Sequence, residues 1–179
     1  MTLSKFLVAT TLFFFQNTFS QNQLFESLEQ TSLPAGASSG QPFVFADSAG
    51  DVLVSWVESL GSKGHAFKFS RLTGSMWSTP KTVVSGNDFF VNWADVPSIV
   101  KISDGTLACH WLRRSAGAPY SYDVNVVVSR DDGLSWSKPV KPHGDTTKTE
   151  HGFASFFEAE GKTAGLVWLD GRKMTPESH

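Results

Sequence analysis

Cysteine is almost absent: Cys109 stands alone in 179 residues, so no intrachain disulfide can staple the fold. An excess of basic charge is also missing. Lysine and arginine number 15 against 17 aspartates and glutamates, which leaves no electrostatic footprint for nucleic acid. The apolar run from Phe6 to Phe15 is too short to span a bilayer, and no stable membrane anchor is expected. Beyond it no segment carries apolar residues at helical spacing, and none is of low complexity. His110, His143 and His151 lack the close Cys/His spacings of zinc sites. Asp145, Glu150 and Asp170 are oxygen donors of the kind hard cations take, yet neither a metal nor another cofactor is expected.

What is present begins with an address. Lys5 supplies a positive start, Phe6 to Phe15 an apolar stretch, and Thr18-Phe19-Ser20 the small residues of a cleavage site. Residues 1–20 therefore read as an export signal, although a buried strand would share their hydropathy. A soluble periplasmic or secreted product follows, and no cysteine after the signal offers a lipid attachment point. Residues 21–40 are polar and form a lead-in to the rest of the chain.

One stretch occurs twice in the same register. Ser70-Arg71-Leu72-Thr73-Gly74-Ser75-Met76-Trp77-Ser78-Thr79-Pro80 matches Ser129-Arg130-Asp131-Asp132-Gly133-Leu134-Ser135-Trp136-Ser137-Lys138-Pro139, which begins 59 residues later. Repeats of this period point to a propeller or a solenoid. Trp56, Trp111 and Trp168 extend the register. Each ends an alternating strand, beginning at Asp51, Thr106 and Thr163, that follows a Gly-containing turn. A further short strand precedes each turn, beginning at Pro42, Pro97 and Ala154. A third strand, at Ala66–Phe69 or Val124–Val128, leads into the repeated box, and a fourth follows the Ser-x-Pro. Four antiparallel strands per unit make a propeller blade, so the expected class is all-β and residues 41–179 form a partial β-propeller. They supply about two and a half blades, where propellers use about four to eight, so the chain is expected to be a fragment or a truncated product. Cys109 takes the strand position of Val54 and Leu166, which favours a buried structural thiol over a reactive one.

The second box has an architectural reading. Gly133 permits positive φ, Ser129 and Asp131 can bond turn amides, and Trp136 packs back onto the strands. Leu72 replaces the aspartate in the first copy, where the turn is expected to be less well held. Ser129 to Trp136 resembles the Asp box, or bacterial neuraminidase repeat, of sialidases. Five neighbouring stretches resemble a bacterial exo-α-sialidase-like branch of that superfamily: Phe89–Ser98, Tyr120–Val124, Lys141–Asp145, Thr149–Phe153 and Val167–Arg172. The resemblance implies a six-bladed propeller, of which this would be the N-terminal half, and an exported glycosidase acting on terminal acidic sugars of a glycan. Sialidases use three arginines, a Tyr nucleophile paired with a Glu, and an Asp as acid/base. Their early Arg-Ile-Pro-type motif is replaced here by Gln41-Pro42-Phe43. This chain alone is expected to be inactive, and a non-catalytic carbohydrate- or protein-binding propeller is the other reading of the same fold.

Blade geometry selects the candidate residues. The start of the first strand and the end of the second share one rim near the axis, opposite the box. Asp95, Glu150 and His151 are the catalytic candidates there, and Asn92, His143, Asp145, Asp170 and Arg172 the substrate-binding ones. Each has a plainer role available. Asp95 can cap a turn before Val96-Pro97, and Glu150-His151 can be a charged entry to a strand. Asp170 and Arg172 can form a solvated ion pair, although a guanidinium fork also suits a substrate carboxylate.

Overall fold

The computed structural model describes residues 30–174; the expected signal and most of the lead-in lie outside them. The description concerns the unit Leu33–His179 as far as those residues reach. Among the described residues ten strands form three antiparallel sheets, joined by loops and two short 3-10 turns.

The first sheet contains β1 (Ser39–Ala46), β2 (Val52–Ser59), β3 (His65–Thr73), β4 (Met76–Trp77) and β5 (Lys81–Gly86). They run in the order β1-β2-β3, with β4 and β5 both pairing β3. The second contains β6 (Ser98–Lys101), β7 (Leu107–Arg114) and β8 (Tyr122–Ser129), in that order. A lone bridge between Val126 and Val140 stands where a fourth strand is expected. The third is a hairpin of β9 (His151–Ala159) and β10 (Thr163–Asp170). Apart from that fourth strand, every strand expected from the repeat is present, and most run two to three residues further at one end.

The middle strands β2 and β7 are buried on both faces, which is why their apolar residues run nearly without interruption. Leu53, Phe67 and Phe69 from the first sheet pack with Ile99, Leu107, Cys109 and Trp111 from the second. Cys109 is wholly buried, and burial raises its thiol pKa, as befits an inert core residue. Phe90, Leu112, Tyr122 and Val124 form a second core, against which Ala154, Leu166 and Trp168 of the third sheet pack. Phe153, Phe157, Val167 and Leu169 of that sheet remain exposed.

The second box closes its turn as its residue types dictate. Gly133 N–H donates to Ser129 Oγ at 2.8 Å, and Ser135 N–H donates to Asp131 Oδ1 at 2.9 Å. The Ser135 hydroxyl and amide, with Ser129, hold the Asp131 carboxyl down to a pKa of about 2. Trp136 meets Phe69 of the neighbouring sheet edge-on at 6.0 Å. The first box is built differently. Leu72 pairs with Trp77 in a tight hairpin, and Ser70 Oγ donates to Ser78 O at 2.7 Å. Strand pairing there supplies the hold that the missing aspartate does not.

Candidate functional site

Two irregular strands converge on one residue, Asp95. β1 bulges between Gly40 and Phe43, and β9–β10 shifts register between Val167 and Leu169. Gln41 and Phe153, at φ 52° and 49°, adopt the left-handed region that side chains rarely tolerate. A bulge re-aims what it carries. Gln41 Nε2 consequently donates to the main-chain oxygen of Asp95 at 2.7 Å, and Phe153 N–H donates to Asp95 Oδ1 at 2.5 Å. Asn92 Nδ2 donates to Asp95 Oδ2 at 2.6 Å, while its own Oδ1 accepts from Ala94 N and Asp95 N at 2.7 Å each. Asp95 is thus buried, with both carboxylate oxygens engaged, and links the first sheet to the third.

Gly152 lies where this centre meets the next. A Cβ there would come within 2.6 Å of the Tyr122 ring and 2.7 Å of Asp95 Oδ1, so only glycine fits. Tyr122 is fully buried and stacks on Phe90 at 3.8 Å between ring centroids. Its hydroxyl donates to Glu150 Oε1. Burial, and then the Glu150 carboxylate, push the Tyr122 pKa upward, so this phenol stays protonated and serves as a donor rather than a nucleophile. Glu150 is half-buried, and its main-chain oxygen accepts from Gly171 N at 2.8 Å.

The second centre is His151, which is wholly buried. Its Nε2 lies 2.9 Å from Asp145 Oδ2 and 3.6 Å from Asp170 Oδ1, and its Nδ1 lies 3.3 Å from Asp123 Oδ1. The Thr147 hydroxyl holds Asp145 at a pKa of about 2. Arg172 grips Asp170 with both arms of its fork, Nε to Oδ1 at 2.8 Å and Nη2 to Oδ2, which holds the Asp170 carboxyl well below its usual range. His143 stacks on His151 at 4.2 Å between centroids, and burial lowers its pKa.

The structure therefore brings the candidates into two adjoining groups. Asn92 and Asp95 form one; His143, Asp145, His151, Asp170 and Arg172 form the other; Glu150 sits beside the Tyr122 hydroxyl. The box residues Ser129, Asp131, Gly133 and Trp136 serve the turn and the packing between sheets. Four participants were not among the candidates named from the sequence. Gln41 is aimed by a bulge that no residue pattern announces. Tyr122 and Asp123 alternate across β8, so one strand start supplies both centres. Trp93 is the fourth: its side chain is 95% exposed, although the loop on both sides of it is pinned by Asn92 and Gln41.

No family model matches the chain, and no curated protein matches it either. Among solved structures the chain is similar to an endo-arabinase from Bacteroides thetaiotaomicron VPI-5482, with a TM-score of 0.52 and 16% sequence identity. The match covers 76% of this chain and 53% of that one, so the chain spans about half the length of its neighbour. At this identity the likeness is one of fold: an antiparallel, propeller-type arrangement.

Proposed function

We propose that this chain forms blades of an exported, sialidase-like glycoside hydrolase whose rim takes terminal acidic sugars of a glycan. The observation that carries the reading is Glu150, a half-buried carboxylate at the rim, oriented by the buried Tyr122 hydroxyl between two polar centres. A carboxylate so placed suits proton transfer at a glycosidic oxygen. Asp95 and His151, both buried, act in this reading by positioning the loops that carry Glu150. Asp170 and Arg172 line the substrate side, where an incoming sugar carboxylate would compete with Asp170 for the guanidinium fork. Trp93 offers an exposed indole face on a rigid loop, as sugar rings require for stacking.

Six blades would complete such a propeller, and the exposed apolar face of β9 and β10 is the surface that a further blade would cover. The similarity of fold to an endo-arabinase is compatible with a glycan substrate for this chain.

A non-catalytic glycan-binding propeller is the second reading, favoured by one observation. Asp95 and Arg172 have their charged atoms taken up by partners within the chain. Glu150→Gln separates the two. Assayed against glycosides of terminal acidic sugars in the protein with its complete set of blades, an enzyme loses turnover by at least about a hundredfold while retaining its affinity. A binder shows no turnover in either form and loses affinity alone.

A further inference from the structure

His143 and His151 are buried imidazoles, with side chains 2% and 0% exposed. Among the described residues, neither ring nitrogen of His143 has a hydrogen-bond partner, and neither does Nδ1 of His151. Facing them is one carboxylate oxygen. Asp123 Oδ1 lies 3.3 Å from His151 Nδ1 and 3.6 Å from His143 Nε2, without the alignment of a hydrogen bond. All three donor atoms fall within 4.8 Å of one another. Leaving polar atoms buried and unpaired is costly, and two such rings set against one carboxylate oxygen call for something between them.

We propose that Asp123, His143 and His151 form a site for a divalent transition metal of the zinc type, fastening the loop after Val140 to the start of β8. A tetrahedral zinc shell with bonds of about 2.1 Å places its donors ~3.4 Å apart, close to the two separations observed here. The surroundings are those of a ligand set. Asp145 Oδ2, 2.9 Å from His151 Nε2, accepts a hydrogen bond from the proton on that nitrogen and so leaves the Nδ1 lone pair, on the side of Asp123, free for a metal. Lys141 Nζ bonds the other Asp123 oxygen at 3.3 Å, which leaves Oδ1 for the metal. Two imidazoles and one carboxylate favour zinc-like ions over calcium or magnesium, which prefer all-oxygen shells. The two rings stack at 16°, so His143 must turn about its side-chain torsions to share a metal with His151. No hydrogen bond on His143 opposes that turn. A fourth position is left for water.

Sequence spacing conceals such a site. Its ligands are eight and twenty residues apart, and the carboxylate comes from a strand rather than from the loop. The site stands or falls independently of any action on glycans.

The test uses the purified protein, stripped with chelator and then titrated with Zn²⁺ or Co²⁺. One equivalent is expected per chain, with tetrahedral Co²⁺ absorption bands, and no comparable uptake of Ca²⁺ or Mg²⁺. His143→Gln and Asp123→Asn should each weaken binding at least about tenfold, while His65→Gln, far from the cluster, should leave it unchanged. Imidazole nitrogen shifts on Zn²⁺ addition, confined to His143 and His151, give a reading on the unsubstituted protein should a variant fail to fold. Absence of stoichiometric uptake by the folded protein overturns the site, as does equal affinity in both variants, preference for Ca²⁺, or shifts at other histidines.

Discussion

Asp95 accepts a hydrogen bond from the side-chain amide of Asn92 at 2.6 Å, three residues away, and spends its other oxygen on the Phe153 backbone. Donor and acceptor are therefore assigned at both positions. Asp95→Asn turns an amide nitrogen toward the Asn92 amide, so that two donors face each other in a buried setting. A loss of roughly 1–3 kcal/mol is expected, read from the urea midpoint. Exchanging the two, with Asn92→Asp and Asp95→Asn together, restores the complement. Aspartate at 92 can accept from the Ala94 and Asp95 amides with one oxygen and from the new amide with the other. The double variant should recover most of the lost stability. A double variant less stable than Asp95→Asn alone would show that the carboxylate at 95 matters for its charge rather than its bonding.

Gly133 separates two costs that turns usually mix. Its φ is 76°, and a Cβ would lie 2.5 Å from Phe69 Cζ on the adjacent sheet. Gly74, its counterpart in the first box, has φ 61° with nothing within 4 Å of a Cβ. Gly74→Ala meets only the backbone penalty, about 1–2 kcal/mol. Gly133→Ala adds overpacking against Phe69 and should cost a further 1–3 kcal/mol or so. Thermal or urea unfolding of the two variants measures the difference directly. Equal losses would show that Phe69 yields without cost.

The strands were legible because β sheets print their burial into a period of two, and the paired boxes fix where each sheet repeats. Trp56, Trp111 and Trp168 marked the second strand of each sheet correctly for that reason. The rim was only half legible. Its titratable residues could be named because they fall where consecutive strands begin and end. Their partners could not, because Gln41 and Phe153 reach Asp95 through bulges with positive φ, a backbone event without a residue signature. The burial of His151 was hidden likewise. A histidine beside Glu150 at a strand entry looks exposed in sequence, and only the folding-over of the loop carrying His143 and Asp145 encloses it.

Trp93 tests the proposed rim without disturbing the fold. Its side chain is 95% exposed, so Trp93→Ala should change stability by no more than about 0.5 kcal/mol. Loss of its stacking face should weaken an acidic oligosaccharide by about 1 kcal/mol, or about fivefold. Glycan titration of the two proteins, with unfolding measured in parallel, gives both numbers. Unchanged affinity would remove Trp93 from the binding surface.

His110 gives the fold a pH window of its own. It is 2% exposed, lies 5.3 Å from the Phe156 ring, and has no hydrogen-bond partner at either nitrogen among the described residues. Burial lowers its pKa from 6.5 to about 4. The unfolded chain therefore takes up a proton at a higher pH than the folded one. Above about pH 6.5 both states hold a neutral ring, and His110 adds no pH dependence. Between about 6.5 and 4 the unfolded state gains the proton first, so stability falls as the pH falls, by on the order of 3 kcal/mol in all. Below about 4 the loss levels off. His110→Gln does not titrate, so the slope of unfolding free energy against pH should flatten across that window alone, whatever the substitution does to packing. Parallel slopes for the two proteins between pH 6.5 and 4 would show that the buried ring finds a way to carry its charge.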